Sequence, residues 1–255
     1  MLRFCCLGSG SEGNALVVEA GDGRRTTRVL LDAGFNPRQL RIRLGRIGLD
    51  VDDLDAVVLT HEHSDHVGGL HALLRRRAVP VYSSAGTARA VGLEAGWIEV
   101  EAGCAVAVGA LELAPCAVAH DAQQPLQYVF SDGDRRLGVL TDVGAPTPAV
   151  MVALHGVDAL LLECNHDVDL LRASGYPAFL KARILGERGH LSNAQAAELL
   201  RQLDRRRLRV LAAGHLSRRN NRPELARQAL AEVAGCAEQD VLVASQDDGL
   251  GWQRC

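Results

Sequence analysis

The densest chemistry in this chain lies in LDAVVLTHEHSDHVGG, from Leu54 to Gly69. An apolar run ends at Thr60, and His61, Glu62, His63, Ser64, Asp65 and His66 follow at once. Imidazole and carboxylate together suit Zn, Mn or Fe rather than Ca, which takes oxygen ligands. In extended backbone His61 and His63 point the same way. Asp65 and His66 follow in a tight turn, and Gly68 and Gly69 let the chain bend into a helix. Four ligand-type residues within six positions exceed what one tetrahedral ion accepts while keeping an open position, so the spacing predicts two adjacent divalent cations. Three more candidates each close an apolar run: His120 ends LELAPCAVAH, Asp142 ends RRLGVLTD and His215 ends RVLAAGH. An aspartate such as Asp142 can bridge two cations through its two oxygens.

These residues need strands to carry them. Short Val- and Leu-rich runs predict strands near 2–7, 15–20, 28–31, 56–59, 79–82, 106–108, 111–119, 126–131, 136–140, 159–163, 209–213 and 241–244. Helical patterns fall near 37–47, 68–76, 86–91, 146–154, 168–185, 192–203 and 223–233. Ser192-x-x-Gln195 reads as a capping box, and Asn221-x-x-Glu224 with Pro223 as another. Strands in both halves with helices interspersed fit an α/β (α+β) architecture, two mixed β-sheets packed face to face with helices outside. The 255 residues suffice for one large domain or two small ones. No low-complexity linker divides them, so 1–255 is read as one domain.

Bulk composition narrows the class. Hydrophobic residues make up 47 % and mean hydropathy is +0.02, and no apolar run reaches the roughly 18–20 residues of a membrane span. MLRFCCLGSG shows no signal-peptide pattern. The seven cysteines are scattered without a two-residue spacing, which fits reduced thiols in a cytoplasmic protein. A formal net charge of −3 does not announce a polyanion binder. Arginine runs at 75–77 and 205–207 read as solvated helix ends before they read as a basic groove, because Lys181 is the sole lysine and arginine is the default cation, whereas Arg218 and Arg219 follow His215 closely enough to clamp a flanking phosphate.

THEHSDH, a later His, Asp and His, and LLDAG around Asp32 resemble the metallo-β-lactamase superfamily over nearly the whole chain. The resemblance implies the αββα sandwich with its site at one edge. His61, His63 and His120 would hold one metal, and Asp65, His66 and His215 the other. Asp142 would bridge, and Asp32 would fix ligand geometry by hydrogen bonding. GHLS occurs twice, at 189–192 and 214–217, and GHLSNAQAA with GHLSRRNN resembles ribonuclease Z, in which the earlier histidine, here His190, assists phosphodiester cleavage. CLGSGSEGN, AHDAQQPLQY, ECNHD and GHLSRRNN together resemble the WalJ/YycJ group, bacterial cytoplasmic proteins regarded as DNA exonucleases acting from 5′ ends.

The implied reaction is metal-assisted phosphodiester hydrolysis with a metal-bridging hydroxide as nucleophile. Asp65 and His190 are the expected catalytic side chains. Ser9, Ser11 and Asn14, in a Gly/Ser loop that could offer backbone N–H groups to a phosphate, are expected to contact substrate, as are Ser217, Arg218 and Asn221. His71 and His155 read as solvated, and His166 is balanced between lining the site and supporting the fold. The expected substrate is nucleic acid, DNA ahead of RNA, with no membrane partner. The rival activities are a phosphodiesterase on small cyclic or nucleotide substrates, and a thioester hydrolase or sulfur dioxygenase. A non-enzymatic DNA-binding role is disfavoured by the intact ligand set, which would be costly as idle buried polar groups.

Overall fold

Every strand in the centre of this molecule is buried on both faces, which is why its strands read as continuous apolar runs rather than alternating ones. The computed structural model describes residues 1–21, 23 and 25–255. One seven-stranded sheet comprises β1 (Leu2–Gly8), β2 (Ala15–Gly21), β3 (Thr26–Leu31), β4 (Ala56–Val58), β5 (Val81–Ser83), β6 (Trp97–Glu99) and β14 (Leu250–Arg254), in the order β14-β1-β2-β3-β4-β5-β6. The other comprises β7 (Val106–Val108), β8 (Leu111–Ala117), β9 (Leu126–Ser131), β10 (Arg136–Leu140), β11 (Ala159–Glu163), β12 (Val210–Gly214) and β13 (Leu242–Val243), in the order β13-β12-β11-β10-β9-β8-β7. Both are mixed: pairing is antiparallel from β14 to β3 and parallel from β3 to β6, antiparallel from β7 to β10 and parallel from β10 to β13.

Among the described residues the helices are α1 (Pro37–Arg46), α2 (Ser64–Val67), α3 (Leu70–Arg76), α4 (Ala85–Val91), α5 (Pro148–Ala153), α6 (Val168–Ala173), α7 (Ala178–Leu185), α8 (Asn193–Gln202) and α9 (Pro223–Ala234). Phe4, Val18, Leu31, Tyr128, Phe130 and Leu161 fill the space between the sheets. Cys5, Leu7 and Val17 point the other way, to Leu40 and Leu44 of α1 and Leu70 and Leu73 of α3. Leu160 and Leu162 pack on Leu199 and Leu200 of α8 and Leu230 of α9. This is the expected four-layer αββα sandwich. No helix is long and apolar enough to cross a membrane among the described residues.

Several element boundaries differ from the sequence expectation. The helix expected over 168–185 is two, because Pro177 cannot continue a helix from Gly175 and Tyr176 and instead begins α7. The helix expected from Gly68 has a short precursor, α2, carrying Asp65 and His66. Strands β6 and β14 were not expected. Both are edge strands with exposed residues and no apolar alternation, and Trp252 of β14 is covered by the Arg3 guanidinium 4.2 Å from its ring centre. The Ser192 cap forms as expected, but Asn221 is no cap: Arg222 occupies that position without a side-chain bond. Most of the arginine runs serve the fold. Arg207 pairs with buried Asp158 at 3.0 Å, Arg206 with Asp204 at 2.7 Å, and Arg77 donates to the Leu54 carbonyl at 3.0 Å.

All seven cysteines are unpaired. Burial pushes the thiols of Cys5 and Cys116 up to about 11 and that of Cys6 to about 12, so these sulfurs are inert small hydrophobes.

Polar contacts tie the two sheets together beneath the histidine loop, among them the Leu126 amide to the Thr60 carbonyl at 2.9 Å. The fully buried Tyr128 of β9 donates its hydroxyl to the Leu59 carbonyl at 2.9 Å. Tyr128→Phe orphans that carbonyl, with an expected loss of about 1–3 kcal/mol in denaturant unfolding and an unchanged m-value.

Candidate metal centre

The site lies where strands of both sheets end. Asp32 directly follows β3, and Thr60 and His61 follow β4 by two and three residues. Asp142 lies just past β10, Glu163 ends β11 and His215 directly follows β12. The non-glycine residues with positive φ are Asp32 at 60°, Asp142 at 54° and His215 at 55°, among the described residues. Each is a residue type that tolerates the left-handed region, and each uses it to turn a side chain off a strand end toward the same point. His63, Asp65 and His66 come from the loop and first turn of α2. That segment is laced to its neighbours by the amides of Ala33 to the His66 carbonyl at 2.7 Å and of Asn14 to the Asp65 carbonyl at 2.7 Å. Gly34 permits the lacing, since a Cβ there would lie 1.7 Å from the Asp65 carbonyl oxygen.

The side-chain donors form four overlapping groups: His61, His63 and His120; Asp65, His66 and His215; His61, His66 and Asp142; and Asp142, Glu163, His190 and His215. His61, His63 and His120 converge: His63 Nδ1 lies 3.0 Å from His61 Nε2 and 3.3 Å from His120 Nε2. Asp65, His66 and His215 converge beside them, with Asp65 Oδ2 at 3.4 Å from His66 Nε2 and 3.7 Å from His215 Nε2. Asp142 stands between: Oδ2 is 3.1 Å from His66 Nε2, and Oδ1 is 3.9 Å from His120 Nε2. The donor set fits divalent metal in chemistry and in need. Asp142 Oδ2 and His215 Nε2 are buried without a hydrogen-bond partner, which is costly unless something else satisfies them.

The other ring nitrogens are held from behind. Asp32 Oδ2 accepts from His66 Nδ1 at 2.7 Å and from the Thr60 hydroxyl at 2.8 Å, and that hydroxyl lies 3.0 Å from His61 Nδ1. His120 Nδ1 meets the Gly189 carbonyl at 3.1 Å. Glu163 Oε1 accepts from His215 Nδ1 at 3.0 Å, from His190 Nδ1 at 2.9 Å and from the Asp142 amide at 3.1 Å. Its Oε2 accepts from the amides of Val143 and Leu191, both at 3.0 Å. Burial pushes the Glu163 carboxyl up, but the adjacent His190 and His215 outweigh it and hold it down to about 2. One ionised carboxylate therefore orients two histidines and the backbone of Asp142.

The cleft above the donors is ≈ 240 Å³ and is lined by His63, Asp65, Asp142, His190 and His215, with Ser11, Ser217 and Asn165 at its edge. Of the residues expected to contact substrate, Ser11 and Ser217 face it. The others have different employment. Ser9 accepts from the His215 amide at 2.8 Å. Asn14 spans Gly10, Asp65 and His66, with its Nδ2 3.2 Å from Asp65 Oδ2. Asn221 spends both ends of its amide on Asn193 and the Cys164 carbonyl. Arg218 lies off the cleft, paired with Asp247 and with Glu12 at 3.3 Å. The Gly/Ser loop likewise keeps its amides inside, from Gly10 to Asn14 Oδ1 and from Glu12 to Gln246 Oε1. Short polar side chains and glycine in a loop read alike whether they cradle a phosphate or one another.

His166 is fully buried, and burial pushes it down to about 4. It does not line the cleft; its carbonyl accepts the Asn193 amide at 2.9 Å, and both ring nitrogens are buried without a hydrogen-bond partner. His155 is exposed, while His71 bonds the Val91 carbonyl at 2.9 Å. Sequence reasoning missed Glu163 and Thr60. Glu163 had a signal, a lone carboxylate closing the apolar run ALLLE.

The profile of the beta-lactamase superfamily domain matches residues 27–211. The chain belongs to that superfamily. It is 34 % identical over 238 residues to exodeoxyribonuclease YycJ of Bacillus anthracis, covering 91 % of this chain and 89 % of that protein. It is 32 % identical over 247 residues to exodeoxyribonuclease WalJ of Streptococcus pneumoniae, covering 94 % and 90 %. Among solved structures, the metallo-beta-lactamase fold protein YhfI from Bacillus subtilis superposes with a TM-score of 0.75 at 16 % identity, covering 99 % of this chain and 98 % of that one. As a member of this superfamily of hydrolases, the chain should lean on the carboxylates behind its histidines. Glu163→Gln and Asp32→Asn are each expected to weaken Mn²⁺ or Zn²⁺ binding by about 10–100-fold in a chelator competition titration.

Proposed function

We propose that this enzyme is a metal-dependent phosphodiester hydrolase that degrades DNA from its ends. The observation that carries the reading is the placement of His190 in the same cleft as the clustered donors, with its Nδ1 2.9 Å from Glu163 Oε1 and farther, 3.6 Å, from Asp142 Oδ1, the candidate ligand it neighbours in one donor group. The names of the relatives, exodeoxyribonucleases matched over nine-tenths of their length, support DNA and exonucleolytic action.

In this reading His61, His63 and His120 would hold one divalent cation and Asp65, His66 and His215 a second, with Asp142 available to both. Zn²⁺ or Mn²⁺ suits these donors, with Fe as a further option. When bound, such cations bring a water's pKa toward neutrality, so hydroxide is available as nucleophile, and neutralise phosphate oxygens. The chain's own residues supply the rest. Asp142 and Asp65 bring the negative charge that keeps the cations close together. Glu163 takes His190 Nδ1, which leaves Nε2 for the substrate, and its negative charge favours the protonated imidazole. His190 then donates from Nε2 to the departing oxygen, or stabilises the charge on it, a role worth about 10²–10⁴-fold in rate. Ser11 and Ser217 at the cleft edge hydrogen-bond the flanking phosphate.

The experiment compares two duplexes with Mn²⁺, one linear with 5′-phosphates and one covalently closed. Stepwise loss of the linear form alone is expected, with a 5′ label released before a 3′ label, and none of it in a His61→Ala/His63→Ala variant. Cleavage of neither duplex, with turnover of a small cyclic or nucleotide phosphodiester, would replace DNA by that substrate class. His190→Ala should lower kcat by about 10²–10⁴-fold while the metal content by atomic absorption stays that of the native protein. Loss of metal in that variant would make His190 a ligand.

A further inference from the structure

The wall of the cleft facing the donors takes no part in holding a metal, and it is apolar. Tyr176, Leu180 and Ile184 line it, spaced by four residues so that they share one side of α7 and the turn that precedes it. This eight-residue helix buries none of its residues, and Phe179 on it is 74 % exposed. Packing of an apolar face normally stabilises a short helix, and here that face is turned to the cleft instead. The segment is anchored by polar contacts at its ends: Arg183 Nε pairs with Asp121, Lys181 Nζ donates to the Arg172 carbonyl at 2.6 Å, and the His190 amide donates to the Ile184 carbonyl at 3.0 Å. The rim carries two arginines, one of them paired with Asp121, which also lines the cleft. Arg183 lines the cleft, and the Arg219 guanidinium lies 5.9 Å from the centre of the Tyr176 ring.

A phosphate alone has no use for an aromatic ring and two aliphatic side chains. A flat apolar group attached to phosphates does, and Arg219 beside the ring complements its charge. Resting on the nuclease reading above, we propose that Tyr176, Leu180 and Ile184 form a subsite for the base of the nucleotide adjoining the scissile phosphate. Arg183 and Arg219 face the phosphates on either side of it. A base can lie on this wall only after leaving its own stack. The subsite therefore selects a frayed or single-stranded end over a fully paired one. Stacking of this kind is worth about 5–150-fold per base.

The test uses the Mn²⁺-loaded full chain and two oligonucleotides with the same 5′ overhang, one complete and one lacking the terminal base. The native enzyme should prefer the complete strand by about tenfold or more in kcat/KM. Tyr176→Ala and Leu180→Ser should lower the rate on the complete strand to that on the abasic one, leaving the abasic rate unchanged. Tyr176→Phe, which keeps the ring, should behave as the native enzyme. Equal rates on both strands for the native enzyme, or an equal loss on both in the variants, would overturn the subsite. If that loss came with a changed sedimentation coefficient, the apolar face would belong to a contact with a second copy of the chain. A second readout separates the subsite from the nuclease reading. Binding should quench a terminal 2-aminopurine in the native protein and not in Tyr176→Ala, whether or not the strand is cut. Quenching without cutting would sink the nuclease reading alone, and its absence would sink the subsite.

Discussion

Five carboxylates, Asp32, Asp65, Asp121, Asp142 and Glu163, and six imidazoles are crowded together where the two sheets end. Gathering that many polar groups out of water is the constraint to which the rest of the structure answers. An isolated buried carboxylate costs several kcal/mol even after relaxation, so each must find positive charge or donated hydrogen bonds. Asp32 and Glu163 find donors within the chain. Asp142 Oδ2, 3.1 Å from His66 Nε2, and His215 Nε2, 3.7 Å from Asp65 Oδ2, are left without a hydrogen-bond partner. What the chain leaves unsatisfied at this point is the coordination it offers to cations. Metal affinity and stability of the strand ends are thus two views of one free energy.

The fold is arranged to meet that demand. Parallel strands end side by side, and the residue after a strand is released from the ladder. Strained left-handed backbone at Asp32, Asp142 and His215 aims each side chain inward, a distortion of about 1–3 kcal/mol apiece that only dense surrounding structure sustains. The cores on either side of each sheet supply that rigidity. Glu163 gathers the consequences. From the end of β11 it binds the His215 and His190 rings together with the amides that follow β10 and precede α8. A single carboxylate thereby couples a candidate ligand, a candidate proton donor and the loops bearing them.

The cleft is divided by chemistry. The floor is made of donors fixed from behind by hydrogen bonds, while the opposite wall comes from α7, which buries nothing and rests on a few polar anchors. Rigid elements hold the groups whose geometry must be exact to within fractions of an ångström, and a weakly packed element faces whatever varies among substrates. This is the division expected when chemistry and recognition are borne by different parts of a fold.

Residue type and spacing alone determined the metal-ligand candidates. THEHSDH is a local cluster, and His120, Asp142 and His215 are each announced by the apolar run they close, so the sandwich and its site were legible before any coordinate. Helix limits were legible where a cap or a proline marks them, as at Ser192, and were misread where Pro177 interrupts a continuous helical pattern. Only the tertiary structure decided which side of each polar residue is occupied. Ser9, Asn14 and Asn221 look like substrate contacts because loops that bind phosphate and loops that bind themselves use the same small polar residues. In space their groups are taken up by His215, Asp65 and Asn193. Glu163 and Thr60 showed the converse, ordinary strand-end residues in the sequence that become the supports of the site because chains distant in sequence end beside them. A hydrogen bond between residues tens of positions apart leaves no periodicity to read, since its geometry comes into being only when the two sheets pack.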